Sequence, residues 1–307
     1  MRRLSRRSFL SASARIGYTG AGLSAFSLLL QGFGFSDLAS GLNKAKQVAD
    51  SATKGFKAVS KALEDITPEQ EYYIGRTIGA IVLDKYKAYD NPVTNSYLNV
   101  LGQTLARFSD LPELFDNYHF LALDSSDINA FATPSGLVFV TRGMLRCCAH
   151  EGALAAVLAH EIGHVQQKHG LQAIEKDRIT KATSIVAIEG TKQLANSDVA
   201  NLTATFEDSI NDITSTMISS GYSRSSESEA DQAAVTLLQR VGYNPTGLID
   251  MLKIMSRKLS PGGLDFAKTH PDPKDRMEEL AQLTGKGPKP LLLPAQKKRF
   301  EVALKGV

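Results

Sequence analysis

The run His160-Glu161-Ile162-Gly163-His164 sets two imidazoles four residues apart, with a carboxylate beside the first. On a helix, positions four apart share a face one turn from each other. Both rings can then grip one zinc ion at about 2.0–2.1 Å. Glu161, one position on from the first ring, can reach a water at the metal without being a ligand itself. The surrounding stretch Ala149–Lys168 carries an apolar stripe of Leu154, Leu158, Ile162 and Val165. That stripe predicts a buried helix rather than two histidines on a solvated face.

A hydrolytic zinc takes three protein ligands and keeps one position open. His169 is the nearest candidate for the third. The spacing in which a Gly and a further His follow the second His by three and six residues is not met, because Gln167 and Gly170 stand there. His169 is therefore read as a helix-end residue near the negative end of the helix dipole. Ser226-Glu227-Ser228-Glu229-Ala230-Asp231 offers a better donor. Glu227 and Asp231 share one helical face, so Glu227 can bind the metal while Asp231 accepts a hydrogen bond from a ligand His. Glu229 falls on another face and is expected in solvent or beside the positive end of its helix. The site read from the residues is thus His160, His164 and Glu227 for the metal, Glu161 for catalysis and Asp231 behind them. An oxyanion donor is also needed, with Arg276, His270 and Tyr222 as candidates.

Several elements must position these groups. Thr67 and Pro68 open a helix expected to reach about Tyr89. Asn91-Pro92 opens another, ending near Phe108 with Leu98, Leu101 and Leu105 inward. His119–Leu123 reads as a short strand. Phe131-Ala132 and Gly136–Thr141 flank Thr133-Pro134-Ser135 as a hairpin, and one of its strands is expected to be exposed. From Glu151 the pattern is helical almost to Leu280. The expected fold is mainly α (α+β), with a small sheet beside the metal-binding helix. Residues 40–66 read as a linker helix, 67–285 as the catalytic domain, and 286–307 as a surface tail.

The chain has 307 residues and a formal charge of +3. That charge comes from residues 1–39, which hold five Arg and one Asp; the rest has 30 basic and 31 acidic residues, a net of −1. No nucleic-acid partner is expected on that balance. Cys147 and Cys148 are adjacent and cannot build a disulfide framework or a cysteine-rich metal site. Arg6-Arg7-Ser8-Phe9-Leu10 resembles a twin-arginine export signal, and 16–36 carries no charge. Residues 1–39 are therefore expected to engage the twin-arginine export machinery. The same stretch, residues 16–36, is long enough to stay as a membrane anchor instead.

Four segments together resemble the gluzincin group of HtpX-like and CAAX prenyl endopeptidases. They are Asn129–Ala132 with Gly136–Gly143, Leu158–Val165, Ser223–Asp231, and Thr269-His270-Pro271 with Arg276. The resemblance spans about residues 68–285. It implies one zinc ion on His160, His164 and Glu227, with Asp231 behind the ligands and peptide-bond hydrolysis as the reaction. The stretch 174–190 is broken by charges, so the chain is more similar to the group's soluble periplasmic members than to its membrane-embedded ones. One of those carries a large repeat domain that this sequence lacks. The resemblance also implies that His270, in a stiff His-Pro loop, can approach the zinc and plug the open position. The expected activity is cleavage of unfolded or misassembled proteins in the periplasm or cell envelope. The alternative is an envelope assembly or chaperone factor whose proteolysis is latent or rare.

Overall fold

The computed structural model describes residues 66–177, 180, 212, 214–215, 221–258, 273–284 and 293–307. All lie in the unit Lys54–Val307. The export signal, nearly all of the linker expected over 40–66, and the Thr269-His270-Pro271 loop lie outside the described residues.

Helix α1 spans Pro68–Lys85. Thr67 closes a capping box: its hydroxyl accepts from Gln70 N (3.2 Å), and Gln70 Oε1 accepts from Thr67 N (2.9 Å). Ile74, Ile78 and Val82 form its buried face. The helix stops at Lys85, short of the expected Tyr89, because the sheet competes for the backbone. Tyr89 N donates to Ala122 O and Asp124 N to Lys87 O, both at 2.8 Å. Helix α2 spans Pro92–Ala106 under an Asn91 cap, with Leu98, Leu101 and Leu105 buried as expected.

Strands β1 (His119–Leu123), β2 (Ala130–Ala132) and β3 (Leu137–Thr141) form a three-stranded sheet ordered β1-β3-β2. β2 and β3 make the expected antiparallel hairpin, with Phe131 opposite Phe139. Its turn, Pro134–Gly136, needs left-handed backbone at Ser135 (φ 66°) and Gly136 (φ 84°). β1 joins β3 in parallel, with Phe120 opposite Val138. Side chains alternate across the sheet, so both faces are covered. Phe120, Val138 and Val140 face a large apolar core, while Phe131 and Phe139 join Ile74, Ile78 and Val82 of α1 on the other side. β2 is an edge strand, but its three residues are buried, not exposed as expected.

A short helix α3 (Arg142–Leu145) leads from β3 toward α4 (Glu151–Gln166). Within α4 only Gly152 and Gln166 escape full burial. Such a helix is central rather than amphipathic. Around it lie α2, α5 (Arg224–Val241) and α6 (Thr246–Lys258), and α7 (Pro273–Thr284) packs on α5 and α6 to complete the mainly helical fold with its small sheet. Among the described residues, no helix is long and apolar enough to cross a membrane.

The stretch expected as a surface tail ends instead in a docked helix, α8 (Pro294–Ala303). Phe300 and Ala303 are buried, and Thr94 Oγ1 donates to Ala303 O at 2.7 Å. The main tie is Glu151, the first residue of α4. Its buried carboxylate accepts from Tyr97 Oη (2.8 Å), from Tyr243 Oη (2.6 Å) and from the Arg299 guanidinium on α8. Sequence periodicity could not reveal this, because the partner of Arg299 is 148 residues away. Arg299→Ala should therefore cost about 1–3 kcal/mol of unfolding free energy, since a buried carboxylate loses the one cation paired with it among the described residues. Lys297→Ala, at the exposed pair with Glu301, should cost less than about 0.5 kcal/mol. Urea denaturation of the two variants distinguishes them; equal midpoints would contradict this role for Arg299.

Candidate metal centre

Helices α4 and α5 cross close together, and a glycine permits it. A Cβ on Gly163 would lie 2.9 Å from Ala230 O and 3.1 Å from Ala230 Cα. Without that contact, the first turn of α5 could not bring a carboxylate over the histidines. Ser223 caps that turn, its hydroxyl accepting from Ser226 N at 3.2 Å.

The structure brings His160, His164 and Glu227 together, all buried, with their donor atoms within 4.8 Å of one another. The two Nε2 atoms are 3.1 Å apart. Each is 3.4 Å from the nearer Glu227 oxygen, Oε2 for His160 and Oε1 for His164. A tetrahedral zinc with bonds of about 2.0–2.1 Å separates its ligand atoms by about 3.3 Å. The triangle observed here has that size. His160 Nδ1 is 2.8 Å from Asp231 Oδ1. The carboxylate can only accept, so Nδ1 donates to it, and Nε2, which faces Glu227, is the ring atom placed to bind a metal. The donor set therefore fits a metal ion of zinc type.

Asp231 is held in turn by Arg276 of α7, through Nε to Oδ2 (2.9 Å) and Nη2 to Oδ1 (2.6 Å). Burial raises the Asp231 pKa, but Arg276 and His160 outweigh it and hold the carboxyl well below the usual range. For His160, burial and Arg276 act downward, yet Asp231 and Glu227 prevail and lift it to about 9. The same negative potential that favours this proton favours a metal cation in its place. Arg276 thus sits behind the ligands on Asp231, engaged as a fork and not standing open toward a substrate.

Glu161 is fully enclosed, and burial, with Glu227 adding to it, raises its pKa to about 7 against His160, Arg276 and the Ala132 backbone N–H. Its Oε1 makes no hydrogen bond among the described residues. Ala132 ends β2, so the sheet edge and the Glu161 carboxylate are adjacent. Tyr222 stacks on His164, ring centres 4.5 Å apart at 24°, and its phenol pKa is raised by burial, then by Glu161 and Glu227. The centre is closed, with His160, Glu161, His164 and Glu227 only 1–2% exposed.

One reading of the sequence is corrected and another is extended. His169 is not an end residue facing the dipole of α4. The chain turns at Lys168, in left-handed backbone (φ 56°), and His169 opens a further helical stretch, 169–177, with its ring buried. Its Nδ1 lies 2.9 Å from His164 Nδ1. Glu229 is exposed, as expected, and its Oε2 also lies 3.1 Å from His169 Nε2. The only hint in the sequence was a third His five residues after His164. Cys147 and Cys148 are buried, and the Cys148 thiol donates to Met144 O at 3.5 Å. His270 lies outside the described residues.

Residues 92–284 match the family described as peptidase family M48. The beta-barrel assembly-enhancing protease of Escherichia coli (strain K12) is 28% identical over 211 residues, covering 68% of this chain and 42% of that protein. The protein of the same name from Yersinia pestis is 30% identical over 198 residues, covering 62% of this chain and 39% of that protein. The mitochondrial metalloendopeptidase OMA1 of Schizosaccharomyces pombe is 31% identical over 160 residues, 50% of this chain and 43% of that protein. The chain thus spans under half the length of these relatives. With the matched region covering well over half of the sequence and containing the whole donor triangle, the chain belongs to peptidase family M48.

Proposed function

We propose that this chain is a zinc-dependent endopeptidase that cleaves unfolded or misassembled proteins of the bacterial cell envelope. The observation that carries the reading is the triangle of His160, His164 and Glu227 donor atoms, sized for zinc, beside a buried glutamate. His160, His164 and Glu227 would hold the metal, while Asp231 and Arg276 orient His160. Zinc, when bound, supplies a Lewis acid that polarises a carbonyl and lowers the pKa of water.

Glu161 does the proton chemistry. Its Oε1 takes a proton from water as the water oxygen adds to the peptide carbonyl carbon. The same group returns the proton to the departing nitrogen when the C–N bond breaks, leaving a carboxylate and an amine. A pKa near neutrality suits both steps, and a nearby cation would lower it further. Strand addition of an extended peptide beside Glu161 would require the edge of β2, buried here, to be uncovered first. Tyr222 remains the described candidate for an oxyanion donor, since the fork of Arg276 serves Asp231.

The envelope location is supported by Arg6-Arg7-Ser8-Phe9-Leu10 and by the relatives' name, beta-barrel assembly-enhancing protease. The closed centre favours a second reading, an assembly or chaperone factor that cleaves rarely, because a peptide reaches Glu161 only after something moves.

Glu161→Gln should keep one zinc per chain and lose casein cleavage by a factor of at least about a hundred, as expected for an acid–base group. Metal analysis beside a casein digest checks this, and loss of zinc in that variant would falsify the assignment. A client-holding activity that survives the same change would favour the second reading. Glu227→Ala should weaken zinc binding far more than Glu229→Ala, because only Glu227 faces both Nε2 atoms. Chelator competition measures the two affinities, and a larger loss at Glu229 would mean that the third ligand is misassigned. Arg6→Lys with Arg7→Lys should leave the precursor in the cytoplasm, as judged by cell fractionation. Normal export of that double variant would exclude the twin-arginine route.

A further inference from the structure

We propose that His169 and Glu229 form a relay that fixes the ring and tautomer of His164 and thereby sets the metal affinity of the centre. The inference rests on the zinc reading above and assigns roles to two residues that the ligand set does not include.

The argument is one of proton accounting along a chain of three groups. A carboxylate can only accept, so Glu229 Oε2, 3.1 Å from His169 Nε2, requires that nitrogen to carry the hydrogen. A neutral imidazole then keeps its lone pair on Nδ1. That atom lies 2.9 Å from His164 Nδ1, so His164 must be the donor there. The remaining nitrogen of His164, Nε2, is left as a lone pair. It lies 3.1 Å from His160 Nε2 and 3.4 Å from Glu227 Oε1, where the donor triangle needs it. With the opposite tautomer, His164 would point an N–H into the metal position and could not be a ligand.

The two ligand histidines are thus oriented by different devices. His160 gives its Nδ1 hydrogen straight to Asp231. His164 gives its own to a second imidazole, which passes the demand on to Glu229. Geometry explains the longer route. The only φ-positive residue in this stretch, Lys168, ends α4 and folds His169 back under His164, within 5.0 Å between ring centres. Helix α5 supplies both carboxylates, Glu227 to the donor triangle and Glu229 to the far end of the relay. His169 is fully buried, whereas the Glu229 side chain is 55% exposed. The relay therefore runs from the metal position to the surface of the domain.

The test is a zinc titration of the full chain against a chromogenic chelator, with thermal unfolding of the metal-free forms beside it. His169→Ala should weaken zinc binding by about 10–100-fold, the usual cost of losing an orienting partner. His169→Gln should stay within about threefold of the parent, because its amide carbonyl can accept from His164 while its NH2 donates to Glu229. Glu229→Ala should cost about three- to tenfold in the parent and nothing further in the His169→Ala background, the mark of two groups acting in series. Metal-free unfolding temperatures should not follow these affinities. The relay is overturned if His169→Ala binds zinc as tightly as the parent. It is equally overturned if His169→Gln is as weak as His169→Ala, if Glu229→Ala costs the same in both backgrounds, or if the affinity losses simply track metal-free stability. A parent chain that binds no zinc would overturn the zinc reading itself, and the relay with it.

Discussion

Five ionisable side chains, His160, His164, Glu227, Asp231 and Arg276, lie together with almost no solvent contact, and the rest of the architecture answers to that concentration of buried charge. Burying such groups unpaired would cost several kcal/mol each. The Arg276 fork on Asp231 neutralises one carboxylate and places it against His160. Glu227 and the two Nε2 atoms are left facing one another, three electron-pair donors around one point. A divalent cation there would relieve their mutual repulsion, so metal binding and domain stability are coupled.

Holding the donors at this spacing requires the helix that carries the histidines to be fixed at both ends and along its length. At its start, Glu151 gathers Tyr97 of α2, Tyr243 after α5 and Arg299 of α8. At its end, the turn at Lys168 sends the chain back under His164. Between them Gly163 lets α5 approach to backbone contact. A substituent there would separate α4 from α5, and the Glu227 carboxylate would leave the histidines before any ligand itself was altered. Precision at the metal position is thus a property of helix packing more than of the ligands.

The sheet contributes in another way. β2 is its edge strand, buried by α4 on one face and by the α1 layer on the other, and it ends at Ala132 beside Glu161. That edge and the Glu161 carboxylate are therefore linked through one backbone amide. The centre itself is closed to solvent.

Local periodicity made much of this legible. The His160–His164 spacing, the Glu227–Asp231 face, the Thr67 and Asn91 caps and the β2–β3 hairpin all depend on residues within a few positions of each other, and such patterns survive in one dimension. The family resemblance, too, rested on short contiguous motifs. What tertiary structure alone decided were pairings across long separations. Arg299 on Glu151 turned an expected tail into a docked helix, and Arg276 on Asp231 turned a candidate oxyanion donor into a residue behind the ligands. The burial of β2 and the early stop of α1 followed from the sheet's demand for backbone partners. His169 and Glu229 met for the same kind of reason: a backbone turn at Lys168 and the close crossing of α4 and α5 brought together residues 60 positions apart. Sequence spacing determines which side chains share a helix face. Only the packing of one helix on another determines which faces meet, because that depends on the shape of every side chain between them.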